Sequence, residues 1–347
     1  MKKAIVLLLA LAVLGGAVFA QDAAIAFSGY IDTGIAVFTE GSADPTLGLW
    51  GDDSGKTSRF NLQAAYTNGN YGATARLRAQ GDFTEDYPVF FVNRAYVWGE
   101  MFDGMVKTVA GRLGDYTWST AANDIGNFDT MTGFMLQIKP IEGLNFGVML
   151  PATSDATARP LLKDALADLN FGAAYDVDGI GGFRAGVDLS PVADSTMAYF
   201  GAEITAVENF VFYLDYQATD LGNDVTGSHY LFQEVDYTMD ALNVGIDLEQ
   251  QFWAYTDAPI YLSFGPYASY SMDKFVLGAA FTYMMETEDA AGDTFSGIYI
   301  NPYAKYLLAA KATIELGAKI NTGDIDGAAS PLAADKGRYY LTYTWSF

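Results

Sequence analysis

Gly337-Arg338-Tyr339-Tyr340-Leu341-Thr342-Tyr343-Thr344-Trp345-Ser346-Phe347 decides the fold. In an extended strand successive side chains point to opposite faces. Tyr339, Leu341, Tyr343, Trp345 and Phe347 then share one face, and Arg338, Tyr340, Thr342, Thr344 and Ser346 share the other. One side is apolar and aromatic, the other mostly polar. Such a strand belongs either to a soluble sheet with its apolar face turned inward or to a sheet whose apolar face meets lipid. The rest of the sequence separates the two.

The opening residues bear on compartment. Met1-Lys2-Lys3 is basic, Ala4 to Leu14 is an unbroken apolar run, and Gly15 to Ala20 supplies small residues for cleavage. Residues 1–20 read as a secretory signal peptide cut after Ala20, leaving 21–347 as the folded unit. The sequence contains no Cys, which excludes a thioether-linked lipid, disulfides and thiolate metal sites. Past Ala20 no apolar run reaches the roughly 18 to 20 residues of a spanning helix.

Composition narrows the class. The chain is 51% hydrophobic and 15% aromatic but only 18% charged, with 23 Tyr and 23 Phe, residues that favour strands and membrane interfaces. Its formal charge is −23, and cleavage after Ala20, which removes Lys2 and Lys3, makes it −25. So acidic a chain does not bind nucleic acid through phosphate contacts. Its charge does bias which ions gather around it.

Alternating apolar and polar residues mark about eighteen strands: 25–37, 57–67, 71–80, 90–101, 105–112, 131–139, 144–150, 168–177, 182–190, 197–206, 209–217, 229–238, 242–252, 260–272, 274–285, 297–308, 311–321 and 337–347. Merging one hairpin would give sixteen. The connections alternate short and long. Asn68-Gly69-Asn70, Phe102-Asp103-Gly104, Pro140 to Gly143, Asp178 to Gly181, Val207-Glu208, Met239 to Ala241, the Asp273 turn and Ala309-Ala310 are short. Several of them carry the Gly, Asn or Asp that tolerate tight turns. Connections such as 38–56, 113–130, 151–167 and 322–336 are long and polar, and Pro160 to Leu169 within one of them reads as a short helix. Short periplasmic turns and long external loops are the pattern of transmembrane antiparallel β-barrels. An even strand number returns Phe347 to the side on which the first strand begins. The competing reading is a soluble all-β sandwich, against which the many roughly ten-residue strands argue.

Following a secretory signal, a closing strand that ends on aromatic Phe347 resembles that of bacterial outer-membrane barrels. The resemblance implies insertion in the outer membrane, among its lipids, with Phe347 read by the barrel-assembly machinery.

The inner wall is where function would be written. Past Ala20 the arginines are Arg59, Arg76, Arg78, Arg94, Arg112, Arg159, Arg184 and Arg338, with five between Arg59 and Arg112. In strand 71–80, Arg76 and Arg78 share a face with Gly72, Thr74 and Gln80. Each would cost roughly 2–4 kcal/mol at the lipid midplane, so that face points into the lumen. Strand 57–67 turns Arg59, Asn61 and Gln63 the same way. Val106, Thr108, Ala110 and Arg112 are assigned inward as well. Arg94 shares its face with Tyr96 and Trp98, which leaves its direction open.

The segment Asn93-Arg94-Ala95-Tyr96-Val97-Trp98-Gly99, followed by Phe102-Asp103-Gly104-Met105-Val106 and Ala110-Gly111-Arg112, resembles a hairpin of general bacterial porins. In that family a Gly-Arg pair ends the hairpin, the Arg joins a basic cluster on the wall, and the next loop folds inward with acidic residues facing it. The resemblance implies a basic side of Arg59, Arg76, Arg78, Arg112 and Arg94, and an acidic side of Asp115, Asp124 and Asp129 on an inward loop 113–130. Rings of opposed charge are a recognised device of pore selectivity. General porins have sixteen strands, and eighteen is the number of sugar-type and substrate-specific channels, so both remain open. A plainer reading has these arginines only pairing with lumen acids to stabilise the wall. Porins are often trimers, which makes a homotrimer possible here.

The acidic tips at Asp52-Asp53, Asp82 to Asp86 and Glu286 to Asp293 could concentrate cations at the outer mouth or bind surface lipids through divalent ions. An outer-membrane hydrolase would need Ser-His chemistry. The single His, His229, follows Ser228 in a strand, so the two point to opposite faces, and no Gly-x-Ser-x-Gly elbow is present. One His without Cys supports no metal site, and no cofactor is implied. A surface adhesin or structural barrel is the remaining alternative. The sequence thus points to a non-enzymatic outer-membrane porin that passes small hydrophilic solutes by diffusion.

Overall fold

The computed structural model describes residues 23–40, 44–50, 58–80, 90–126, 131–152, 162–189, 196–221, 223, 226–254, 258–287, 295–324 and 336–347. Residues 1–22 and Asp129 lie outside this set, as do the acidic tips at Asp52-Asp53 and Asp82 to Asp86. The described residues form one antiparallel sheet. Its first strands are β1 (Ala23–Glu40), β2 (Thr46–Trp50), β3 (Arg59–Asn68), β4 (Tyr71–Gln80), β5 (Phe90–Met101), β6 (Val106–Arg112) and β7 (Thr132–Ile141). Next come β8 (Leu144–Pro151), β9 (Asn170–Val177), β10 (Gly181–Asp188), β11 (Met197–Ile204), β12 (Phe210–Thr219) and β13 (Ser228–Met239). The circuit ends with β14 (Leu242–Trp253), β15 (Ile260–Met272), β16 (Phe275–Glu286), β17 (Phe295–Ala309), β18 (Ala312–Asp324) and β19 (Lys336–Ser346). A short helix, α1 (Leu162–Ala167), lies between β8 and β9.

Consecutive strands pair around the circuit, and β19 returns to pair with β1 from Tyr30↔Ser346 to Glu40↔Lys336. At that seam Gly29 and Phe347 exchange main-chain hydrogen bonds of 3.1 and 3.0 Å. Closure leaves no unpaired edge in lipid, the condition for a sheet to span a membrane. Eighteen strands make the circuit, as the alternation of turns predicts, and β2 is additional. The sequence places residues 46–50 in a loop. They instead pair with β1 from Gly34↔Trp50 to Phe38↔Thr46, beyond the stretch of β1 that β3 occupies. Thr46, Leu47 and Leu49 are adequate strand formers once an adjacent edge offers hydrogen bonds, and that edge is what sequence reading does not see.

The short turns are built as their residues dictate. Gly69 takes φ +57°, and Asp240 and Asp273 take +52° and +51°, the left-handed region that Gly and Asp tolerate. All the short turns lie on the rim that carries Phe347, and the strand ends that lead into the long connections lie on the other. In an outer-membrane barrel those rims are periplasmic and external.

The two strand faces separate by chemistry. On β19, Tyr339, Tyr343 and Trp345 are about half exposed, whereas Tyr340 and Thr342 are buried. Leu77, Phe134, Phe171, Phe200 and Phe281 continue the exposed apolar belt on other strands. In water so large an apolar surface would aggregate; in a membrane it meets acyl chains.

Candidate functional site

The lumen holds a loop, a basic wall and an acidic wall. The loop leaves β6 at Leu113 and its described part runs to Gly126. It lies along the inner surface of β7 to β12. Trp118, 0% exposed, donates from Nε1 to Asn145 Oδ1 of β8 at 2.9 Å. The Asn123 amide donates to Asp215 Oδ2 of β12 at 2.9 Å, and Tyr199 Oη of β11 donates to the Gly126 carbonyl at 3.4 Å. A main-chain bond from Thr120 to Ile125 and the return from the Ile125 amide to Thr120 Oγ1, both 3.1 Å, fix the bend between.

Glycine makes the room for this contact. Gly147, Gly172 and Gly186 are directly paired across β8, β9 and β10. A Cβ on Gly172 would enter the Trp118 ring, one on Gly186 would enter the Tyr199 ring, and one on Gly201 would meet Thr120. Glycine inside a strand marks such close approach. Beneath the loop the inner wall is dry: Val109, Leu113, Met135 and Met149 pack around Trp118, with Tyr96 and Trp98 against them. The inner wall is therefore apolar where the loop covers it.

The basic wall spans β3 to β5. Arg59 donates to Tyr30 Oη at 3.2 Å, Arg78 to Asn61 Oδ1 at 3.0 Å, and Arg76 to Asn93 Oδ1. Arg94 donates to Tyr116 Oη of the loop at 3.0 Å and lies over Gly114 and the Tyr116 ring. Its direction, left open by the sequence, is inward. Asn93 is a hub that sequence reasoning missed. It occupies a bulge, since pairing steps from Arg76↔Arg94 to Leu77↔Val92, and it accepts from two arginines. A bulge re-aims side chains, and no composition signal announces it.

Two expected positions are corrected. Val109 pairs with Trp98 and Met135, which lie in the buried inner cluster, so Lys107 and Val109 are inward on β6, as is Leu113 just after it. Arg112 shares the outward parity of Ala110, whose partner Phe134 is exposed. The Arg112 guanidinium reaches back to the Asn93 carbonyl at 2.9 Å. Asp115 does not face the arginines of β3 and β4. Its carboxylate accepts from the Thr117 amide at 2.9 Å and Gln137 Nε2 at 3.2 Å, with Lys107 at 4.0 Å. That is an aspartate closing its own turn, which a sequence pattern cannot distinguish from one facing the pore. Asp124 is at the loop tip, beside Arg184 and Glu203.

The acidic wall is the part the sequence reading did not find. Glu203 of β11, Asp215 of β12, Glu234 and Asp236 of β13, and Asp247 and Glu249 of β14 share the inward parity. The register aligns Glu203↔Tyr213↔Glu234↔Asp247 in one row and Asp215↔Phe232↔Glu249 in the next. Tyr267 places its hydroxyl against both Glu234 and Asp236. A signal was present: between Arg184 and Lys274 the sequence has no Lys or Arg. In circuit order β4 is the third of the eighteen strands and β13 the twelfth, so Arg76 and Arg78 stand half a circuit from Glu234 and Asp236.

Ser228 and His229 do point apart. Ser228 Oγ shares a hydrogen bond of 2.6 Å with Thr219, while His229 Nδ1 meets Tyr216 Oη at 2.9 Å on the exposed face.

The closed circuit, the apolar belt and the charged lumen with its inward loop define a porin-like transmembrane β-barrel of the outer-membrane type. No protein-family model matches the sequence, and no curated protein matches it. Solved structures do. OmpT, an outer membrane protein of Vibrio cholerae, is similar at a TM-score of 0.58 and 15% identity, covering 95% of this chain and 99% of that one. The outer membrane protein OprD from Pseudomonas aeruginosa gives 0.60 at 10%, covering 93% of each. OccD3 of Pseudomonas aeruginosa gives 0.63 at 11%, covering 93% of this chain and 91% of that one. At these identities the likeness is one of fold.

Proposed function

We propose that the barrel is a passive, non-enzymatic pore through which small hydrophilic solutes and ions, cations ahead of anions, diffuse across the outer membrane. The observation that carries this reading is the placement of an arginine wall on β3 to β5 half a circuit from a carboxylate wall on β11 to β14. Opposed charges across a narrowed lumen orient polar solutes and reject apolar ones. The loop after β6 is the constriction, and its described part, Leu113 to Gly126, stands along one side of the passage. The chain's charge of −23 tips the balance toward cations.

Residues 1–20 as a secretory signal and Phe347 as the residue read by the barrel-assembly machinery belong to the same reading. A homotrimer is supported by the similar OmpT structure described as a trimer form. A substrate-specific channel is the second reading. It is favoured by Tyr213, Tyr230, Tyr261 and Tyr267, inward residues interleaved with the wall acids and able to stack on a solute. The first test is current through a planar bilayer. Purified, folded protein should give discrete conductance steps in KCl, and its absence of steps would remove the pore. Unequal block by a panel of neutral sugars would favour the substrate-specific form.

A further inference from the structure

The outer face of β11 to β16 is apolar almost throughout. Parity turns every second residue of these strands outward, and all but three of those positions hold Ala, Val, Leu, Ile, Met, Pro, Phe or Tyr. One exception, His229, stands near the outer end of β13 and already meets Tyr216. The others are Gln233 of β13 and Gln250 of β14. Gln233 is paired with Leu214 and Leu248, and Gln250 with Leu231 and Leu262. Leu214, Ile246 and Phe264 beside them are exposed. Each strand residue rises about 3.3 Å, and a tilt of roughly 40° leaves about 2.5 Å of that along the membrane normal. Counted from Met239 and Leu242 at the short turn, Gln233 lies about 15 Å and Gln250 about 20 Å above that rim, within an apolar band about 25 Å tall. Among the described residues neither side chain takes part in a hydrogen bond. Acyl chains offer an amide no partner.

We propose that this face is the contact surface between copies of the chain, with Gln233 and Gln250 of one copy hydrogen-bonded to the same residues of the next. Copies arranged about an axis along the membrane normal all stand at one depth, so a residue beside that axis meets its own counterpart. Such a residue must complement itself. An amide does, because its carbonyl accepts and its NH₂ donates, whereas a charged side chain would face its like. Gln250 lies diagonally across from Gln233, two positions beyond Leu248, a spacing of about 7–8 Å on one face of a sheet. A bond between the two within one copy would use one of their four N–H donors and leave the other three. Amides at two depths also fix how the copies align, as one buried polar residue fixes register in a coiled coil. This assigns a face to the homo-oligomer proposed above, on which it rests, and it needs no current through the pore.

The sequence contains no Cys, so one substitution introduces a single thiol. Protein carrying Gln233→Cys, folded in lipid vesicles and treated with a lipid-soluble oxidant, should give disulfide-linked dimers as its main product. Leu77→Cys and Phe134→Cys, exposed positions on β4 and β7, should stay mostly unlinked. In detergent, sedimentation equilibrium should show Gln233→Leu with Gln250→Leu associating at least tenfold more weakly than the unaltered protein, with strand content by circular dichroism unchanged. An unaltered protein that is monomeric in detergent and unlinked at all three Cys positions in vesicles overturns the homo-oligomer and the face together. Association undiminished by the leucine pair, or linkage at Leu77→Cys or Phe134→Cys that exceeds linkage at Gln233→Cys, removes the face and leaves the homo-oligomer.

Discussion

Trp118 is the residue on which the geometry of the lumen turns. It is wholly buried, although it sits in a loop inside the barrel. Its ring lies on Gly172, and its indole nitrogen is bonded to Asn145. Trp118→Ala should cost about 3–5 kcal/mol, the usual range for a buried Trp, measured by urea unfolding in lipid vesicles. The same variant should raise single-channel conductance, because a loop without its anchor no longer holds one position. Gly172→Val tests the other side of the contact. Its side chain would occupy the space of the Trp118 ring, so conductance should again rise while the barrel still folds. Unchanged conductance in both variants would mean that the loop is not the constriction. Neither residue stands out in the sequence: Trp118 lies in a polar loop and Gly172 in a strand, and only their superposition across 54 positions gives them a role.

At the scale of elements, strands and turns were legible because each is a local event. Alternation needs only neighbours two residues apart, and a turn needs only a residue that tolerates positive φ, as Gly69, Asp240 and Asp273 do. What required a third dimension was misread. β2 forms because β1 offers it an edge, and nothing within Thr46–Trp50 states that this edge exists. The sequence reading turns Arg112 inward together with Val106, Thr108 and Ala110, but parity on β6 is set by Val109 beneath Trp118. Asn93 works through a bulge that breaks the alternation on which sequence reading depends. Asn93→Ala removes the side-chain acceptor of Arg76 while leaving the main-chain carbonyl that holds Arg112. Loss of a hydrogen bond to a charged donor should cost about 1.5–3 kcal/mol in the same unfolding assay. Asn93→Asp keeps an acceptor and should retain most of that stability.

At the scale of the molecule, charge is partitioned around the circuit. Arg59, Arg76, Arg78 and Arg94 lie within β3 to β5, and Glu203, Asp215, Glu234, Asp236, Asp247 and Glu249 lie within β11 to β14. A closed barrel turns that separation in sequence into opposition in space. The basic half was legible because lipid would penalise Arg on the outer face. The acidic half was not, because in an acidic chain its carboxylates do not stand out until the absence of Lys and Arg from 185–273 is set against the register. The reversal potential across a KCl gradient tests this partition most directly. The unaltered pore should favour K⁺. Arg76→Ala with Arg78→Ala should shift the potential further toward K⁺, and Glu234→Gln with Asp236→Asn should shift it toward Cl⁻. Opposite shifts from the two pairs would establish both walls as lining the conducting path; no shift from either pair, in a protein that conducts, would contradict the account.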